Sequence, residues 1–164
     1  MQVIHPDSEI DLGLDVNVYW KHMLMSNCCG SAQPKATHPK KQSCPQHGQD
    51  CGEVSQKTVV QHIKHPWKLD DQERRFFFCD DPDCAVVYFT DDGLTFDQHD
   101  VRTRVGAKDK TDQATLCYCF GVTKDDVKNE PSIKDFVTSQ TKQHLCACET
   151  RNPSGLCCLK NFPK

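Results

Sequence analysis

The sequence has no long apolar run. Nowhere in its 164 residues is there a stretch long and apolar enough to span a bilayer, which takes about 20 such residues. The first 25 residues carry Asp7, Glu9, Asp11 and Asp15 without an uninterrupted hydrophobic segment, so they do not read as a signal peptide. Apolar residues are scarce overall: hydrophobic content is 37 %, cysteine included, and mean hydropathy is −0.66. One domain, or two small ones each helped by a metal, is the expectation at this length, and a self-sufficient core is not. Positive charge is lacking too. A net charge of −3 with scattered lysine and arginine argues against general affinity for nucleic acid phosphates. No nucleophile is paired with a histidine or acid in a recognisable motif, so nothing points to hydrolysis or group transfer, and His99 and His144 read as solvated surface. The expected protein is cytoplasmic, not an enzyme, and inserts into no membrane.

What is abundant is cysteine, with twelve in all. A reducing compartment denies a chain its disulfides, so these cysteines read as metal ligands or redox groups. Residues 1–43 read as a flexible, disordered arm. Val16, Val18, Tyr19 and Trp20 have nothing nearby to cover them, and the stretch from Gly30 to Ser43 has a linker composition. Cys28-Cys29, with His38 nearby, is a thiol pair of the kind that suits Cu(I), although an unstructured pair without a task is the plainer reading.

From Cys44 the pattern changes. Cys44-Pro45-Gln46-His47-Gly48 has the shape of a zinc knuckle with histidine in the second ligand place; proline and glycine suit a backbone that must turn tightly to aim two ligands at one ion. Cys79-Asp80-Asp81-Pro82-Asp83-Cys84 supplies the other half. Cys44, His47, Cys79 and Cys84 are the expected tetrahedral zinc site, with Cys51 or His62 as alternatives to His47. Zinc binding would then replace the missing core. Ser55-Gln56-Lys57-Thr58 leads into Val59, Val60, Ile63 and Trp67, read as a short amphipathic helix stopped by Pro66. Phe76-Phe77-Phe78 and Cys84 to Phe89 read as strands, and Asp91-Asp92-Gly93 turns the chain back into Leu94-Thr95-Phe96. Residues Arg102 to Lys110 read as a solvated strand and linker.

Six cysteines lie between Cys117 and Cys158. Thr123-Lys124-Asp125-Asp126 is a helix start of the capping-box kind, and Ser132-Ile133-Lys134-Asp135 repeats it after Pro131. Val127 belongs to the first helix, and Ile133, Phe136 and Val137 give the second an apolar stripe. Two such helices bury little, and four thiolates around a 2Fe-2S core would tie them together. Cys117 and Cys119 can face one iron; the second takes one thiolate from Cys146 or Cys148 and one from Cys157 or Cys158. Asn152-Pro153-Ser154-Gly155 fits a type I turn whose amides could donate to cluster sulfurs.

Cys117-Tyr118-Cys119 followed by Val122-Thr123 and paired helices resembles the bacterioferritin-associated-ferredoxin (BFD) type of 2Fe-2S domain. A fuller resemblance, from Cys44 to Cys158, is to the N-terminal domain of the CopZ-type iron-sulfur and zinc copper chaperones. It rests on Phe78-Cys79, Cys84 to Phe89, Thr103-Arg104-Val105-Gly106, Cys117-Tyr118-Cys119 and Asn152 to Cys158. The resemblance implies Cys117, Cys119, Cys148 and Cys158 as cluster ligands, leaving Cys146 and Cys157 spare. It also implies zinc at Cys44 and the Cys79/Cys84 pair, with His47 where the family has cysteine. The copper-binding M-x-C-x-x-C domain of that family has no counterpart before Lys164.

The expected architecture is α+β: a zinc-binding β-hairpin and helix subdomain over 44–110, then a short-helix, BFD-like 2Fe-2S subdomain over 111–164. The expected function is metallochaperone-like handling of copper or another soft metal, coupling one-electron reduction of Cu(II) to thiolate capture of Cu(I). Zinc, a 2Fe-2S cluster and Cu(I) are the implied metals. A separate copper chaperone, a P-type ATPase or a redox protein is the implied partner. The alternative is a ferredoxin-like electron carrier or redox adaptor without copper transfer.

Overall fold

The computed structural model describes residues 40–163. The readings placed on residues 1–39, including Cys28-Cys29 with His38, lie outside the described residues. Five strands, β1 (Lys41–Ser43), β2 (Asp50–Val54), β3 (Phe76–Phe78), β4 (Val86–Thr90) and β5 (Thr95–Asp97), form an antiparallel sheet in sequence order. β1 pairs residue for residue with β2, so Lys41 to Ser43, read from the sequence as the end of the arm, belong to the sheet.

The aromatic and β-branched runs become the centre of the sheet, where β3 and β4 are buried along their whole length. Strand pleating sends Phe76 and Phe78 to one face and Phe77 to the other. On the first face they pack with Val54, Val59, Ile63, Val87 and Tyr88. On the second, Phe77 stacks on Phe89, centroids 5.4 Å apart, in a cluster shared with Cys44, Cys51, Cys79 and Cys84. Each face thus has a small core, and three of the expected zinc ligands, Cys44, Cys79 and Cys84, belong to one of them.

Helix α1 (Gln56–His62) follows β2. Ser55 starts it by accepting the Thr58 N–H at 3.1 Å, and Val59 is fully buried. The helix stops at His62, and Pro66 opens a separate 3-10 turn, Pro66–Lys68. Trp67 is 74 % exposed, so it does not extend the apolar stripe as the sequence suggested.

Residues 101–110 are not the solvated linker they resemble. Val101 and Val105 are buried against α1 and the sheet. Arg102 donates to the Gln61 carbonyl at 2.7 Å and the Val60 carbonyl at 3.3 Å, satisfying orphan acceptors at the end of α1. A 3-10 turn, Gly106–Lys108, follows, with Gly106 and Lys108 both buried. Position 106 must be glycine, because a Cβ there would sit 2.0 Å from the Thr115 carbonyl oxygen.

The second half starts with a two-stranded ladder of β6 (Thr115–Cys117) and β7 (Val122–Thr123). Helices α2 (Lys124–Asn129), α3 (Ile133–Lys142) and α4 (Cys148–Arg151) and a last 3-10 turn, Cys158–Asn161, complete it. Thr123 and Asp126 form the expected capping box. Ser132 does not repeat it: its backbone is already helical and its hydroxyl bonds Glu130 instead. Leu116, Val122, Val127, Val137 and Phe162 make a third small core around Cys117, Cys148 and Cys158. Phe136, half exposed, rests edge-on against Phe120.

The two halves are pinned together by buried hydrogen bonds. Thr58 Oγ1 in α1 donates to the Glu149 carbonyl in α4 at 2.6 Å, and Tyr88 in β4 donates to the Pro153 carbonyl at 2.8 Å. The Asn152 to Gly155 turn is therefore a docking element on the sheet. Its amides, read from the sequence as donors to cluster sulfurs, are committed within the turn, Gly155 N–H to the Asn152 carbonyl and Ser154 N–H to the Asn152 side chain. Among the described residues no helix is long and apolar enough to cross a membrane.

Candidate metal centre

In a sheet that runs back and forth in sequence order, the β1–β2 and β3–β4 connections fall at the same end. Cys44 and His47 sit in the first, Cys79 and Cys84 in the second. The first turn folds as its sequence indicates: Gly48 takes φ +76° and donates its N–H to the Cys44 carbonyl at 2.8 Å, closing a tight loop. Gln46 stitches the loops together, its side-chain oxygen accepting from Val86 N–H at 3.3 Å and from the Cys84 thiol at 3.1 Å.

The ligating atoms of Cys44, His47, Cys79 and Cys84 all lie within 4.8 Å of one another. Cys44 Sγ is 3.9 Å from Cys84 Sγ, and His47 Nε2 is 3.1 Å from Cys79 Sγ. Two thiolates on one zinc ion stand about 3.8 Å apart, given a Zn–S bond of about 2.3 Å and tetrahedral angles. The donor chemistry and spacing of these side chains fit zinc in a closed, four-coordinate site. Burial, partly offset by the Val86 N–H, pushes the Cys84 thiol up to about 11, so the metal must displace its proton on binding.

Neither alternative fourth ligand joins this group. Cys51 is buried in the same cluster, and burial together with the neighbouring Cys79 and Cys44 charges pushes its thiol up to about 12. Its Sγ donates weakly to the Gln49 carbonyl, 3.6 Å away. His62 is elsewhere, buried on α1 with Nδ1 2.7 Å from Thr103 Oγ1 and Nε2 without a hydrogen-bond partner. Burial lowers its affinity for a proton.

The second half gathers the other thiols. Cys119 and Cys148 Sγ are 3.8 Å apart, although 28 residues separate them, and Cys117 lies beside Cys158 and Cys119. The neighbouring Cys158 thiol, aided by the Phe120 and Cys119 amides, draws the Cys117 thiol down to about 6, and Cys158 correspondingly holds its proton. Burial pushes Cys148 up to about 12, with the Cys158 N–H opposing. Cys119 Sγ accepts the Ala147 N–H at 3.3 Å. Cys146 is half-buried and Cys157 exposed, beside Leu145 and Leu156, which are 61 % and 51 % exposed.

Sequence reasoning missed Lys108. Its Nζ reaches into the zinc-ligand cluster, 3.3 Å from Cys79 Sγ and 2.7 Å from the Asp81 carbonyl. The available signal was Val101, Val105 and Ala107 among the basic residues, an apolar content that a solvated linker does not need.

Three comparisons bear on this arrangement. A copper chaperone CopZ from Archaeoglobus fulgidus is 30 % identical over 123 residues, which cover 70 % of this chain and 57 % of that protein. The chain thus spans little more than half the length of the curated relative it matches. The X-ray structure of the Archaeoglobus fulgidus CopZ N-terminal domain superposes with a TM-score of 0.57 at 27 % identity, covering 75 % of this chain and all of that one. Residues 41–102 match the CopZ-type family described as a zinc binding domain. Over that span the chain is similar to a zinc-binding domain, and its mixed helix and sheet fold is like that of the CopZ N-terminal domain.

Proposed function

We propose that this chain is a zinc-stabilised metallochaperone that handles copper or a comparably soft ion, with a 2Fe-2S cluster held by Cys117, Cys119, Cys148 and Cys158. The observation that carries the zinc part is the four-donor group of Cys44, His47, Cys79 and Cys84, built from two turns at one end of the sheet. The cluster part is supported by the meeting of Cys119 with Cys148 and of Cys117 with Cys158, thiols from both ends of the helical half. Their donor chemistry fits iron, and amides of Ala147, Phe120 and Cys158 face their sulfurs, as backbone N–H groups do around metal-bound thiolates. A 2Fe-2S cluster bound there supplies a one-electron couple, the chemistry that converts Cu(II) to Cu(I).

Copper as cargo is supported by the name of the curated relative, a copper chaperone. The chain's own part is to offer thiolates, for which Cu(I) has high affinity. Cys157 is exposed and Cys146 is half-buried next to Cys148, so both are accessible to an incoming ion while Cys44, His47, Cys79 and Cys84 are engaged with zinc. Release is to a copper-accepting protein such as a separate chaperone or a P-type ATPase.

A second reading, BFD-like electron transfer without copper, is favoured by exposed Leu145 and Leu156 next to Cys146 and Cys157, an apolar rim suited to a redox partner. Protein purified without air is expected to contain one zinc, two irons and two sulfides per chain. Anaerobic titration with Cu(I) then decides between the readings. Uptake with zinc and iron retained supports the chaperone; displacement of either metal, with rapid reduction by a ferredoxin reductase, supports the electron carrier. Protein without iron or zinc sinks both.

A further inference from the structure

We infer that Lys108 is the positioning residue of the zinc centre: its ammonium holds the Cys79 thiolate and neutralises the charge of the filled site. This rests on the zinc reading above. Three thiolates and a neutral imidazole around a divalent ion leave one net negative charge, in a cluster that also contains Phe77, Phe89 and Val86. An anion buried among such side chains needs a partner. Lys108 is the cation that the described residues place there. Only 8 % of it is exposed, and its Nζ lies 3.3 Å from Cys79 Sγ and 2.7 Å from the Asp81 carbonyl, inside the loop that carries Cys79 and Cys84.

A lysine is seldom buried without such a task. Its backbone is also placed with care. Gly106 fits against the Thr115 carbonyl as no other residue can, and its N–H donates to the Tyr118 hydroxyl at 2.6 Å. Tyr118 in turn donates to the Arg104 carbonyl at 3.4 Å. The turn that delivers Lys108 is therefore gripped by the residue between Cys117 and Cys119. Lys108 lies outside residues 41–102, so the zinc-binding segment alone lacks this cation, and the following half of the chain supplies its anchor.

The test uses the full chain, purified zinc-loaded without air, with zinc release to a coloured chelator followed by absorbance. Lys108→Met, which keeps the stem and drops the charge, is expected to release zinc at least tenfold faster than the parent. Lys108→Arg is expected to recover most of that loss. Tyr118→Phe, remote from the ion, is expected to release zinc a few-fold faster through the loosened turn. Mass spectrometry after slow alkylation gives a second readout in the parent protein, where Cys79 is expected to be labelled after Cys44 and Cys84.

Release from folded Lys108→Met within twofold of the parent overturns the inference. So does Lys108→Arg that is no better than Lys108→Met. Should Lys108→Met fail to fold, Cys79 labelled first in the parent overturns it, and Cys79 labelled last upholds it. Parent protein that holds no zinc at all ends the zinc reading itself, a result distinct from any of these.

Discussion

Below about pH 6.5 the buried imidazole of His62 becomes a cost to the folded chain. Burial in the seam disfavours its charged form, with nearby Arg102 adding repulsion and the Thr150 backbone only partly compensating. The folded chain therefore takes up this proton at lower pH than the unfolded chain does. Unfolded His62 binds more protons as pH falls past about 6.5, so stability that is present above that value is lost below it. His62→Gln is expected to flatten the slope of stability against pH between about 7 and 5.5, by at most about 1.4 kcal/mol per pH unit. Urea unfolding of both proteins at matched zinc content measures it, and equal slopes would show that His62 contributes nothing. Gly106→Ala tests sterics in place of charge. Its new Cβ meets the Thr115 carbonyl, and the variant is expected to lose about 1 to 3 kcal/mol in the same assay. Single residues were unevenly legible in the sequence. Cys44, His47, Cys79 and Cys84 stand in proline- and glycine-containing turns that announce ligands. Lys108 is marked only by the apolar residues around it, because what makes it internal is the packing of Gly106 on a strand that comes later in the chain.

Helix α2 has only six residues, too few to be stable by propagation, so its start carries much of its stability. Thr123→Ala removes the acceptor for Asp126 N–H and half of a reciprocal cap. It is expected to cost about 1 kcal/mol and to speed amide exchange in Lys124–Asn129 more than elsewhere. Uniform exchange across α2 and α3 would argue that the box is incidental. At this scale the sequence was clearest where local chemistry decides the outcome: the aromatic strands, the Ser55 and Thr123 caps, the Gly93 turn. It misled where tertiary neighbours decide. Ser132 looks like Thr123 in sequence, but its backbone is already helical and Glu130 takes its hydroxyl. Asn152 to Gly155 was rightly a turn, yet its polar groups answer to the sheet through Tyr88, 65 residues away.

At the scale of the molecule, three small cores and two groups of thiols replace one large interior among the described residues. Stripping zinc with a strong chelator is expected to cost several kcal/mol and lower the thermal midpoint by more than about 10 °C. The near-ultraviolet signal of Phe77 and Phe89 should fall with it, and an unchanged melt would mean that the sheet stands without the metal. The mixed fold was legible because ligand turns and strands recur in a fixed order. Hydrogen bonds from Thr58 to Glu149 and from Tyr88 to Pro153 span the expected division at residue 110, a link that charge and polarity along the sequence do not reveal. One consequence follows from the sheet's back-and-forth path. The two ligand turns meet only if β2 lies correctly on β3, with Gly52 opposite Phe78, and those strands are joined by the longest connection in the sheet. A slip of one residue would displace the turns by about 3.3 Å and send Cys51 and Val54 each into the core of the other face. An ion held by both turns would thus favour the correct strand pairing, so zinc supplied while the chain is being made is expected to raise the yield of correctly aligned protein, and zinc added afterwards to rescue little of the remainder.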